Sequence, residues 1–177
     1  MAGCGEFFIA VSKTRSFLKY WFVPLAWMSL IFFGSSDTQS YTHSSRLIEP
    51  FLHWLFPHMS QPHIEAIHHV IRKCAHLTEY AVLAILLWRA VRKPIRRDTR
   101  PWSRREATIA VLIVFLYAST DEFHQMFVPS RTPMVSDVFI DTSGAVAGMI
   151  VLWTLGRWRK WWPKAKVSRS KETASQE

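Results

Sequence analysis

Cysteine is nearly absent from this chain of 177 residues: Cys4 and Cys74 are the only two, and they fit no metal-ligand spacing. No HExxH metal motif, PSGH-type phosphatase motif, nucleophile elbow or internal repeat occurs either. A cofactor or bound metal is therefore not expected, and no catalytic class announces itself. A cleavable signal peptide is also not evident, since "MAGCGEFFIAVSKTRSF" carries its charges after its apolar stretch rather than before it. Acids are few, 13 against 22 bases, which leaves a net charge of +9.

What the chain has instead is apolar length. It is 49% hydrophobic with 9 Trp and 12 Phe, gathered into runs at Phe17 to Phe33, Cys74 to Val91, Ala107 to Thr120 and Asp141 to Leu155. Strongly polar segments separate them, the pattern of helical membrane proteins. The expected fold is all-α, an integral membrane bundle of four transmembrane helices. Eighteen of the 22 bases fall in three segments: Lys13 to Lys19, Arg89 to Arg105 and Arg157 to Lys171. A four-span chain puts all three on one side, and the positive-inside rule makes that side, with both termini, cytoplasmic. Cys4 and Cys74 then lie on opposite sides and should not pair. Basic loops against anionic lipid account for the charge without a nucleic-acid partner. The chain divides into an N-terminal cytoplasmic segment (1–16), a four-span domain (17–156) and a basic, disordered tail (157–177). A multi-pass protein of the cytoplasmic (inner) membrane is expected, with the lipid bilayer as its first partner.

Between the first two spans, "RLIEPFLHWLF" is apolar and aromatic but too short to cross, so it should lie at the interface. Ser60, Gln61 and Pro62 resemble a helix start. Trp88 and the bases after it should anchor the inner end of the second span, and Ala107 should open the third. Pro129 and Pro133 bracket the turn "PSRTP" before the fourth.

Counting about 20 residues from the inner anchors brings His76, Glu79, Asp121, Glu122, Gln125, Asp137 and Asp141 to the outer part of their spans. Ser35, Ser36 and Asp37 end the first span at the same level. Each unpaired charge there costs roughly 2.5 to 3.5 kcal/mol, so such groups should face the bundle interior and share a site. Lys73, His76 and Tyr80 stand at i, i+3 and i+7, and Asp121 and Gln125 at i, i+4. Asp137, Asp141, Gly144 and Gly148 form one stripe, and "GAVAG" is a small-xxx-small seam that lets helices approach closely. Arg131, the only base in the turn among four carboxylates, should be held between those of the third and fourth spans, with Lys73 and His76 adding compensation.

"KCAHLTEYAVLAILLW" and "DEFHQMFVPSRTPMVSDVFIDTSGAVAG" together resemble the VanZ-like membrane proteins, and "GSSDTQS" resembles that family's Ser-rich exit from the first span. The resemblance runs from about Trp21 to Leu155. It implies roles for Ser35, Ser36, Lys73, His76, Tyr80, Asp121, Glu122, Gln125, Pro129, Arg131, Asp137, Gly144 and Gly148. Asp141 stands where the family usually has Asn. The resemblance also implies a bacterial envelope role with no settled biochemical activity, the family being named for a protein contributing to glycopeptide (teicoplanin) resistance. The layer itself is expected to form an outward-facing polar pocket that binds an amphiphilic envelope component or antibiotic. Two other classes stay open: an enzyme acting on a lipid-linked substrate, with His76, Asp121 and Glu122 as candidate catalytic residues, and a structural partner of another membrane protein. Seven of the eight histidines lie between His43 and His76; a metal site using Glu65, His63, His68 or His69 is conceivable, but these histidines are expected at the surface rather than on a metal. Oligomeric state is not legible.

Overall fold

The structure, a computed structural model, describes residues 18–34, 50–94, 98, 100–127 and 134–162. Among the described residues all regular structure is helical: α1 Leu18–Gly34, α2 residues 50–55, α3 Gln61–Arg92, α4 Arg104–Gln125 and α5 Val135–Trp158. The last three are each long and apolar enough to cross a membrane. The described part of α1 is shorter, ~25 Å at 1.5 Å per residue, against a hydrocarbon core of ~30 Å.

The helix boundaries follow from local chemistry. Pro62 sits in the first turn of α3, where its missing N–H costs nothing. That helix ends at Lys93, whose left-handed backbone (φ 47°) serves as a C-cap, and Pro94 follows. The Ser103 hydroxyl accepts from the Glu106 N–H at 3.3 Å, the Ser-x-x-Glu arrangement of a capping box, so α4 begins three residues before Ala107. α5 begins at Val135, well ahead of its apolar run, and this places Asp137 in the first turn, where a helix dipole favours an acid.

Side-chain bonds give the helix directions. The Tyr20 hydroxyl donates to the carbonyl of Pro94 at 3.0 Å, and Tyr117 donates to that of Met28 at 2.6 Å. The ring of Phe32 lies 4.5 Å from that of His124. α1 and α4 therefore run one way, α3 and α5 the other. α5 lies most extensively on α3. A Cβ on Gly144 would meet the backbone of Leu77 at 3.0 Å, and one on Gly148 the carbonyl oxygen of Ala81 at 2.7 Å. Backbone touches backbone there, which only glycine allows. Leu83, Ala84 and Leu87 of α3, Ala110, Val114 and Ala118 of α4, and Ala145 and Met149 of α5 fill the core. Phe22, Leu116, Phe139 and Ile150 point outward, as lipid-facing side chains do.

Where α3 ends and α4 begins, the chain departs from the expectation that every base in this segment faces anionic lipid. Arg92 is buried, with 3% of its surface exposed. Its guanidinium donates to Asp98 at 2.8 Å, Glu106 at 2.9 Å and the carbonyls of Arg100 and Pro101 at 2.7 and 3.2 Å. Arg100 clasps Asp98 from the other side and returns a bond to the Arg92 carbonyl at 2.6 Å. The Arg100 guanidinium, and then Arg92, hold the Asp98 carboxyl well below the usual carboxylate range. Trp88, expected as a lipid-facing anchor, is buried instead, stacked on Trp102 at 5.4 Å with Arg92 over its ring and Trp162 at its edge.

Candidate functional site

At the opposite end of the bundle, the first half of α3, the last turns of α4 and the first turns of α5 converge. Arg72, Lys73, His76, Asp121, Glu122, Gln125, Asp137 and Asp141 line one cleft. Its free space is only about 10 Å³, close to the volume a single water requires.

Each side chain is placed by the spacing of its helix. Lys73 of α3 bonds Asp137 of α5, and both are about three-quarters withdrawn from solvent. One turn on, His76 lies 3.6 Å from Glu79, which points away from the cleft and lines a second groove between α1 and α3. The hydroxyl of Tyr80, fully buried, donates to Asp121 Oδ2 at 3.5 Å, the outer limit of such a bond. Gln125 donates to that same oxygen at 3.1 Å from one turn further along α4. Adjacent acids thus have different tasks. Asp121 points inward to Tyr80 and Gln125, whereas Glu122 accepts the N–H of Met134 at 3.1 Å, holding the residue that precedes α5. Asp141 is buried one turn below Asp137, and Gly144 and Gly148 continue its stripe against α3. Beneath the layer the lining becomes apolar: Leu83, Ala84, Val114 and Ala145.

The sequence model of the VanZ/LLP1 family matches residues 20–156, most of the chain and all of the helices that build this cleft. The chain belongs to the VanZ-like family. No curated protein and no solved structure matches it. The family match spans every one of the motif residues, and in this VanZ-like chain Lys73, His76, Tyr80, Asp121, Glu122, Gln125, Asp137 and Asp141 come together in one layer. Ser35, Ser36, Asp37, Pro129 and Arg131 lie outside the described residues, and so does the pairing expected of Arg131. The cation that meets Asp137 here is Lys73.

Sequence reasoning missed three participants. Arg72 lines the cleft beside Lys73, although neighbours on a helix point about 100° apart. The Met134 amide answers Glu122, a backbone group that carries no sequence signal. The Trp27 indole donates to the carbonyl of Glu79 at 3.1 Å and ties α1 to the layer. One expectation is corrected. His68, expected at the surface, is buried at 2% exposure because it follows the fully buried Ile64 by one helical turn on the inner face of α3. Among the described residues no group of three or more His, Cys, Asp or Glu could hold a metal ion.

Proposed function

We propose that this VanZ-like chain is a four-span protein of the bacterial cytoplasmic membrane, with α1 as the first span and 157–177 a cytoplasmic tail. Its basic loops and both termini face the cytoplasm. The polar layer faces outward, where it recognises the headgroup of an amphiphilic envelope component or antibiotic. The observation that carries this reading is the one-sided layer itself: Lys73, Asp137, Asp121 and Gln125 from three helices meet above a core that is apolar among the described residues. Charges at such depth are costly to keep and serve function by default. The sparse free space supports contact with a small polar group, such as an amine or a single anionic oxygen, rather than enclosure of a whole ligand. The apolar part of the ligand would stay in the bilayer.

Teicoplanin sensitivity of bacterial cells expressing the chain tests the reading. The wild-type chain should raise tolerance, and Lys73→Gln or Asp137→Asn should abolish the gain while the protein still reaches the membrane. Equal tolerance with either variant would reject the layer as the recognising site. A reporter fused after Ser130 should be active only outside the cytoplasm, and cytoplasmic behaviour would reject the orientation.

A further inference from the structure

Away from the polar layer, α4 and α5 bound a groove of about 430 Å³, within the ~300–1,000 Å³ typical of small-molecule sites. Its walls are Ala107, Val111 and Leu112 on α4 and Val146, Met149 and Ile150 on α5. These are facing stripes at helical spacing, apolar except for Thr108 on α4. The groove extends from Arg104 to Leu112, ~12 Å along the helix. At one end only, its character changes: Arg104, Trp102 and Trp153 form the rim.

The rim cation decides what fits. Arg104 is exposed and makes no ion pair among the described residues. The acid nearest in sequence, Glu106, is already taken by Arg92 at 2.9 Å. Arg104 therefore presents a full, unneutralised guanidinium at the mouth of an apolar trough on a helix long and apolar enough to cross a membrane. Of the two rim tryptophans Trp153 is exposed, as aromatics are where headgroups meet hydrocarbon. Thr108, one turn deeper, offers a hydroxyl at the depth of an ester linkage. An occupant must be apolar along the trough and anionic at Arg104.

We propose that the α4–α5 groove is a specific site for one anionic phospholipid, its phosphate on Arg104 and one acyl chain lying between the two helices. A guanidinium matches phosphate geometry with paired donors. Anionic lipid is also what basic segments near a membrane attract.

The test is native mass spectrometry of the full chain in detergent, titrated separately with phosphatidylglycerol and phosphatidylcholine. One phosphatidylglycerol should be retained more tightly than phosphatidylcholine, by about fivefold, the increment expected for one arginine at a membrane surface. Arg104→Gln should erase that preference, and Arg104→Lys should keep most of it. Val146→Trp, which fills the trough from an exposed position, should remove the tightly held lipid altogether. Equal retention of the two lipids by the wild-type chain would overturn the proposal, as would an undiminished preference in Arg104→Gln. A second copy of the chain covering the groove would overturn it too, and would register as a dimer that Val146→Trp dissociates. Should Val146→Trp fail to assemble, brominated phosphatidylglycerol decides instead: it should quench tryptophan emission in the wild type more than in Arg104→Gln, and equal quenching would reject the site.

Discussion

Arg92 and Lys73 are cations of the same helix, ~28 Å apart along its axis, and the chain treats them in opposite ways. The Arg92 side chain is 2% exposed and meets two carboxylates and two backbone carbonyls, so its hydrogen-bonding capacity is used by the protein itself. The Lys73 side chain is 24% exposed, bonds Asp137, and borders a cleft shared with His76 and further acids. A charge saturated by its own chain holds structure together. One left partly wet beside other ionisable groups retains capacity for something else. The same α3 therefore carries a closing device at its C-terminal end and, about five turns earlier, the cation of the layer proposed to recognise a ligand.

Removing the guanidinium should break this contrast most severely. Arg92→Ala leaves Asp98 and Glu106 with only the half-exposed Arg100, and truncating one member of a buried ion pair costs about 3–5 kcal/mol. Thermal unfolding in mild detergent should show the loss, and Arg92→Lys should restore only part of it, because an ammonium cannot fork between two acids. A melting temperature unchanged by Arg92→Ala would mean that the network is ornamental. Gly148→Leu comes next, at about 1–3 kcal/mol for overpacking, since its side chain would strike the backbone of Ala81. The substitution makes α5 more apolar and easier to insert, so insertion without assembly is the expected outcome. An intact, monodisperse variant would show that α3 and α5 can separate without harm.

The polar layer should respond more mildly. Lys73→Ala and Asp137→Ala should couple by about 1 kcal/mol, in the lower part of the range for residues in contact, because water reaches both. Strict additivity in that double-mutant cycle would separate the pair. The smallest effect concerns acid. Asp98 titrates below its ordinary range when folded, so its contribution is complete at neutral pH and is lost only as pH falls from about 4 towards the folded value. Following tryptophan emission from the Trp88, Trp102 and Trp162 cluster, the wild type should lose stability relative to Asp98→Asn over that acid window. Parallel pH profiles would remove Asp98 from the closing device.

The helices and the polar layer were largely legible in the sequence, for one reason. Apolar runs near membrane length give depth, and a 3.6-residue period gives facing, so Lys73, Tyr80, Asp121, Gln125 and Asp137 could be placed before any fold was known. The Arg92 device was not legible. Eight bases crowd between Arg89 and Arg105, and charge counting turns them all towards anionic lipid. Which one turns inward depends on where the chain after α3 folds back. A clue existed in Asp98 and Glu106, the only two acids among those bases. Trp88 misled in the same way: an aromatic near a span end reads equally as an interfacial anchor or a core ring, and only the neighbouring Trp102 and Trp162 decide between them. Cleft volume was never readable, because it depends on how closely the glycines let α5 approach α3.

That approach has its own consequence. Leu77 and Ala81 on α3, and Gly144 and Gly148 on α5, each repeat after four residues, so the contact between the helices is a ruler without a zero mark. Advancing α5 by one turn, ~5.4 Å, would seat Gly144 on Ala81 and turn Gly148 towards Ile85. The glycine contact alone therefore does not choose between the two registers. The same step would carry Asp137 from Lys73 to Leu77, stranding a carboxylate against an apolar neighbour. Lys73 and Asp137 thus supply the zero, and the register of the whole α3–α5 pair is written in the layer above it.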